Sequence, residues 1–114
     1  MSQLISSAID AERLIGGKWK MAILAALIEV HETSPDSDQS AALRFNELKR
    51  LIPEMTQRML SIQLKSLEAD GLIERKVFAV VPPKVEYRLS EKGLGLAAVM
   101  AELSRWVQAE KLGE

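Results

Sequence analysis

A proline at position 53 separates two segments whose apolar residues recur at helical spacing. Pro53 ends the first segment, which covers residues 45–52, because proline lacks the amide hydrogen that the next helical hydrogen bond needs. Thr56 then offers a side-chain oxygen to cap a second helix, and Gly71 is the expected left-handed residue after that helix ends. Two short helices joined by a tight turn are therefore predicted. The residues expected to face the core are Phe45, Leu48, Leu51 and Ile52 on the first helix and Leu60, Leu64 and Leu67 on the second.

The segment after Gly71 predicts a β-hairpin. Residues 72–81 have the composition of one strand, and Val85, Tyr87 and Leu89 alternate with charged residues at the period of a half-buried second strand. Pro82 and Pro83 lie between the two strands and stiffen the tip. A hairpin that directly follows a helix-turn-helix is the wing of a winged helix-turn-helix.

Further helices are predicted on both sides of this unit. One covers residues 4–15 and ends at Gly16-Gly17, an apolar core helix covers about 18–30, and Ser90 caps a last helix over 91–112. The polar stretch 31–42 lacks periodicity and is expected to be a loop, whose role the sequence does not indicate.

The fold class is thus α+β and mainly α: a winged helix-turn-helix with a two-stranded wing and flanking N- and C-terminal helices. Residues 1–114 are expected to form a single domain, with a DNA-binding core over about 17–90. The helices over about 4–15 and 91–112 are predicted to form a dimer interface.

The second helix of the motif carries polar residues on the face opposite its leucines. These are Gln57, Arg58, Ser61 and Lys65, next to the capping Thr56. A recognition helix reads base edges with its first turns, where arginine pairs with guanine and glutamine with adenine. An ordinary solvated face is the alternative for an isolated helix, but the adjoining wing favours DNA contact.

Other cations lie where phosphates would be met. Arg44, Lys49 and Arg50 are on or before the first helix of the motif, and Lys84 follows the wing tip, with Arg75 and Lys76 at its base. Residues 44–92 contain ten Lys/Arg and seven Asp/Glu, so this stretch is basic although the whole chain has a net charge of −1. A basic middle between acidic ends suits contact with a polyanion through one face.

Five motifs in this order resemble the HxlR family of bacterial transcription regulators. They are Leu14-Ile-Gly-Gly-Lys-Trp-Lys20, Arg44-Phe-Asn-Glu-Leu48, Thr56-Gln-Arg-Met-Leu60, Leu64-Lys-Ser-Leu-Glu-Ala-Asp-Gly-Leu-Ile-Glu-Arg75 and Val81-Pro-Pro-Lys-Val-Glu-Tyr87. The resemblance implies a winged helix-turn-helix, a homodimer built from terminal helices, and binding to a palindromic operator. It also implies that Thr56, Gln57 and Arg58 open the recognition helix.

The sequence departs from this family in two places. Many members carry an oxidant-sensing cysteine before the first core helix, whereas this region reads Ser6-Ser-Ala-Ile-Asp10 and the chain contains no cysteine. Stretch 31–42 is also longer than the connection usual in the family.

The sequence lacks the residue patterns that catalytic, metal-binding and phosphate-binding sites require. His31 is the one histidine, Gly16-Gly17 lacks the spacing of a phosphate-binding loop, and Asp36 and Asp38 lie in the predicted loop. We therefore expect no catalysis, no metal and no cofactor.

Exposed apolar residues on the terminal helices predict a homodimer. The interface residues expected are Ile5, Ile9, Leu103, Trp106 and Val107. A small-molecule effector between these helices, near Met21, Met100 and Trp106, is left open.

The sequence shows no signal peptide and no membrane span. A cytoplasmic regulator that acts as a repressor on double-stranded DNA is therefore expected. The alternative is a winged-helix protein-interaction module that does not bind DNA.

Overall fold

A computed structural model describes residues 2–33 and 41–112 of the chain. It is mainly helical with one two-stranded antiparallel sheet, as the sequence predicts. In chain order the elements are α1 (Gln3–Ile15), α2 (Lys20–Thr33), α3 (Phe45–Leu51), α4 (Gln57–Ala69), β1 (Ile73–Phe78), β2 (Lys84–Leu89), α5 (Glu91–Leu94) and α6 (Ala97–Leu112).

Both ends of α2 differ from the prediction. The helix begins at Lys20 rather than near Lys18, because Trp19 has a φ of +73°, which a right-handed helix cannot include. It continues to Thr33, whose hydroxyl donates a hydrogen bond of 2.9 Å to the carbonyl of Glu29. His31 is therefore helical, and its prediction as a loop residue is wrong; residues 34–40 of the predicted loop lie outside the described residues.

α2 lies at the centre of the hydrophobic core. Its residues Ile23, Leu24 and Leu27 are completely buried, and side chains from α3, α4 and the hairpin pack around them. The predicted inward residues of α3 need one correction: Leu51 is 60% exposed. α3 ends at Leu51, and the chain then turns so that Ile52 fills the core beside Leu48.

The hairpin is antiparallel, with register from Ile73 opposite Leu89 to Phe78 opposite Lys84. β1 is shorter than the predicted 72–81, because residues 79–83 form the tip. Leu43 adds a bridge to the sheet: its backbone exchanges hydrogen bonds of 2.9 and 2.8 Å with that of Tyr87. The segment before α3 is therefore tied directly to the wing.

The predicted last helix is divided in two. Ser90 caps α5 as predicted, its hydroxyl accepting a hydrogen bond of 3.0 Å from the Gly93 amide, and the chain breaks at Gly95 before α6. Helix propensity alone assigns both glycines only a weakening effect. The structure gives Gly93 a further role, because a Cβ at this position would lie 2.1 Å from the carbonyl oxygen of Leu72.

We predict that Gly93→Ala lowers the free energy of unfolding by about 1–3 kcal/mol or more, because this is the usual range for overpacked sites. The methyl group would push α5 away from the chain entering β1. Gly95→Ala is the matched control: Gly95 has φ −62°, which alanine adopts readily, so a change within about 1 kcal/mol is expected. Urea unfolding measures both, and equal losses for the two variants would refute the packing role of Gly93.

Candidate nucleic-acid interface

The turn between α3 and α4 is anchored from inside. Met55 is 1% exposed, and its amide donates a hydrogen bond of 3.1 Å to the carbonyl of Ile52. From the outside, Lys49 Nζ donates a hydrogen bond of 3.2 Å to the carbonyl of Pro53. The angle between the two helices is thus fixed by a buried methionine and by a lysine that spans the turn.

Thr56 starts α4 in the way that the sequence predicts. Its backbone is extended, and its Oγ1 accepts a hydrogen bond of 3.0 Å from the Met59 amide. Gly71 has a φ of +76° after the other end of the helix, so the predicted left-handed residue is confirmed. The predicted inward stripe is confirmed as well, since Leu60, Leu64 and Leu67 are buried.

Burial of these leucines decides which side chains α4 presents to solvent. Gln57, Arg58 and Lys65 are exposed, and Ser61 is half-buried at the edge of the same face. Four of the predicted α4 side chains are therefore brought together on one side of the helix. The cationic and amide groups have the chemistry that pairs with bases and phosphates.

Ile62 also lies on the exposed face of α4. It is not among the residues predicted for this face, which are all polar. Its side chain is 51% exposed. It is four residues after Arg58 and three before Lys65, so both are its neighbours on the helix surface. This spacing from Arg58 and Lys65 is the feature of the sequence that could have predicted an exposed position for Ile62.

The hairpin and α4 enclose a groove of about 330 Å³. It is lined by Ser61, Leu64, Lys65, Glu68, Arg75 and Tyr87. Arg75 reaches this groove because it lies opposite Tyr87 in the sheet register. The structure thus places the β1 cation Arg75 beside the polar face of α4, whereas the sequence predicts it only at the base of the wing.

Lys84 makes its contacts within the wing. Its ammonium lies 3.3 Å from a carboxylate oxygen of Glu86 and 4.7 Å from the centre of the Phe78 ring. Lys76 approaches the same ring at 5.0 Å. The tip itself is apolar, and Val81 is fully exposed there.

The cations around α3 lie close to acidic side chains. Arg44 and Arg50 line a polar cleft of about 390 Å³ together with the acidic Glu47 and Glu86. The backbone amide of Arg44 donates a hydrogen bond of 2.8 Å to the Glu47 carboxylate. Lys49 is half-buried across the turn, whereas Arg44 and Arg50 are exposed.

The terminal helices carry the exposed apolar residues that the sequence singled out. Ile5 and Ile9 on α1 are 54% and 53% exposed, and Trp106 on α6 is 62% exposed. Leu103 is exposed and Val107 half-buried on the same helix. The apolar surface also includes Leu4 and Val99, which are not among the predicted interface residues. Of the residues considered for an effector, Met100 packs partly against the core.

Within residues 2–33 and 41–112, acidic and histidine side chains form no group of three that could hold a metal ion. In those ranges every helix is too short or too polar to cross a bilayer.

Comparison with known proteins identifies the same motif. The family model described as HxlR-like helix-turn-helix matches residues 14–112. An HTH-type transcriptional regulator of Halalkalibacterium halodurans is 50% identical over 93 residues, which cover 82% of this chain and 74% of that protein. The HTH-type transcriptional regulator YybR of Bacillus subtilis is 40% identical over 98 residues, covering 86% and 70% of the two chains.

Solved structures share the fold over most of the chain. The crystal structure of the HTH-type transcriptional regulator ytcD is 41% identical, covers 100% of both chains and has a TM-score of 0.77. The redox regulator HypR in its oxidized form is 38% identical, covers 90% of this chain and 95% of its own, and has a TM-score of 0.76.

The Thr56 cap generates a stability prediction. Thr56→Ala is expected to lower the free energy of unfolding by about 1 kcal/mol, because the Met59 amide loses its acceptor. Thr56→Ser keeps the hydroxyl and is expected to retain most of this stability. Urea unfolding followed by circular dichroism distinguishes the two variants, and an unchanged Thr56→Ala midpoint would contradict the capping role.

Proposed function

The chain belongs to the HxlR-like helix-turn-helix family of transcription regulators, and we propose that it is a homodimeric repressor that binds a palindromic operator. Family membership favours a DNA-binding regulator over an enzyme and over the protein-interaction module considered above. The observation that carries the proposal is the exposed polar face of α4 beside the hairpin. Its action on double-stranded DNA in the cytoplasm is part of the same proposal.

In this proposal α4 enters the major groove with its N-terminus leading. Arg58 offers the paired donors that match O6 and N7 of guanine, and Gln57 offers the donor and acceptor that match adenine. Ser61 and Lys65 lie one to two turns further along, and the Thr56 end of the helix meets the backbone. The leucines on the other side hold this face outward.

Phosphate contacts are proposed for the cations around this helix. Arg44, Lys49 and Arg50 flank α3, which crosses the DNA backbone in a helix-turn-helix. Arg75 extends the cationic surface across the groove between α4 and the wing. Lys84 is proposed to approach the DNA backbone from the wing. Its ammonium group forms an ion pair with Glu86, so a phosphate would compete with that carboxylate.

The dimer is supported by the small amount of surface that the terminal helices bury within one chain. Every residue of α1 is exposed or half-buried, although it is a helix of 13 residues. Isolated helices of this length are marginal in water, so α1 needs a packing partner. A second copy would cover Ile5, Ile9, Leu103, Trp106 and Val107, and a two-fold axis would set the two α4 helices about 34 Å apart, one DNA turn.

Repression is proposed because a dimer seated on a promoter blocks polymerase by occupancy alone. The signal that releases it cannot be a thiol of this chain, which contains no cysteine.

Arg58→Ala tests the DNA-reading face. Duplexes enriched by the wild-type protein from a random-sequence library serve as the probe, and fluorescence anisotropy gives the affinity. If Arg58 pairs with a guanine, binding weakens by about 1–3 kcal/mol and preference at that base pair relaxes. Lys111→Ala removes the same charge from the end of α6 and is expected to change affinity little. Equal affinities for Arg58→Ala and wild type would exclude base reading by Arg58.

Trp106→Glu tests the dimer. A carboxylate at this position would be desolvated in the interface, which costs several kcal/mol, so sedimentation equilibrium at micromolar concentration should shift toward the monomer. Val81→Glu places the same charge at the fully exposed wing tip and should leave the mass unchanged. A dimer that persists in Trp106→Glu would remove Trp106 from the interface.

A further inference from the structure

An apolar residue lies on the outer face of α4, beside the polar side chains that are proposed to meet DNA. Ile62 is 51% exposed, although the core stripe of α4 is complete without it in Leu60, Leu64 and Leu67. Exposing an isoleucine to water brings no benefit to this fold. The core does not need this side chain, so it is available for a contact in the complex with DNA.

The helical geometry places Ile62 at the centre of the outer face. At about 100° per residue, it is directed about 170° away from the mean direction of the three buried leucines. Arg58 and Ala69 lie on one side of this direction, about 40° and 20° from Ile62 around the helix axis, and all three residues are exposed. A groove that accommodates Arg58 would therefore bring bases within reach of Ile62 as well.

The side chain suits contact with a methyl group. Isoleucine has no donor or acceptor, so it cannot pair with the polar edges of guanine, cytosine or adenine. The C5-methyl group of thymine is the one apolar feature of the major groove. Isoleucine is also stiff at χ1 in a helix, so it loses little freedom on making such a contact.

We propose that Ile62 is a specificity-determining residue that packs against the C5-methyl group of a thymine in each half-site. This inference rests on the proposed binding of α4 in the major groove. Because side chains four residues apart on a helix lie about 5–6 Å from each other, the thymine should be within two base pairs of the position that Arg58 reads.

Replacing thymine by deoxyuridine tests the contact directly, because deoxyuridine pairs with adenine in the same way and lacks only the methyl group. Duplexes enriched by the wild-type protein from a random-sequence library are resynthesised with one thymine at a time replaced in one half-site. For the wild-type protein, one substitution should weaken binding about fourfold, which corresponds to about 0.8 kcal/mol for one buried methyl-sized group.

Ile62→Ala should abolish this dependence on the methyl group. The variant should bind the thymine and deoxyuridine duplexes equally, and its fold should persist because alanine is the stronger helix former at an exposed position. Leu51→Ala is the matched control: it truncates an exposed apolar residue on α3 and should retain the fourfold penalty. Sedimentation equilibrium checks that Ile62→Ala keeps the oligomeric state of the wild type.

The outcomes separate this inference from the function on which it rests. If no duplex is enriched, the proposed DNA binding fails and the Ile62 contact fails with it. If duplexes are enriched but no deoxyuridine weakens wild-type binding, or the penalty persists in Ile62→Ala, the thymine contact alone is refuted. A change of oligomeric state in Ile62→Ala would assign the residue to a contact between proteins and would also overturn the inference.

Discussion

Burial of one stripe of leucines on α4 is the interaction on which the rest of the molecule depends. Leu60, Leu64 and Leu67 are 0%, 2% and 0% exposed and pack in the core around α2. Because a helix has one rotational setting that buries such a stripe, the same contacts decide which residues face outward. Stability and the proposed DNA reading therefore share one cause, and a rotation of α4 would change both together.

A second constraint fixes the wing relative to that helix. Leu72 connects them: its amide bonds to the Leu67 carbonyl at 3.0 Å, and its carbonyl accepts from Ser90 at 3.1 Å. The close approach of Gly93 to the same carbonyl seals the junction between β1 and α5. The hairpin is thus held at its base by the ends of α4 and α5, which leaves the apolar tip as its most exposed part.

The sequence predicts those features of this fold that have local causes. The Thr56 cap and the left-handed Gly71 follow from the chemistry of single residues, and the leucine stripe follows from periodicity. Features that depend on tertiary packing were missed. Leu51 continues the apolar spacing of α3, but the helix ends there and Ile52 takes the inward place.

The same distinction applies to the candidate site. Residue type and spacing selected Gln57 and Arg58, and burial of the opposite face exposes both. The sequence alone does not identify Ile62 as exposed, because an apolar residue predicts a core position unless the buried stripe of the helix is known to be complete without it. The place of Arg75 depends on strand register, which sets it opposite Tyr87 and beside α4. Register is a property of the paired strands, and neither strand specifies it alone.

The distribution of charge places a limit on how this chain can bind a polyanion. Its net charge is −1, and three lysines between residues 44 and 92 contact oxygen atoms of the chain itself: Lys49 the Pro53 carbonyl, Lys84 the Glu86 carboxylate and Lys92 the Asp70 carbonyl. Phosphate contacts supply most of the sequence-independent affinity for DNA, and Arg44, Arg50 and Arg75 are exposed cations that could make them. Phosphates are the same in every sequence, so discrimination in the proposed complex depends on base contacts by α4 and on the shape of the DNA. The proposed two-fold dimer would strengthen these contacts, because it would make each of them twice on one duplex.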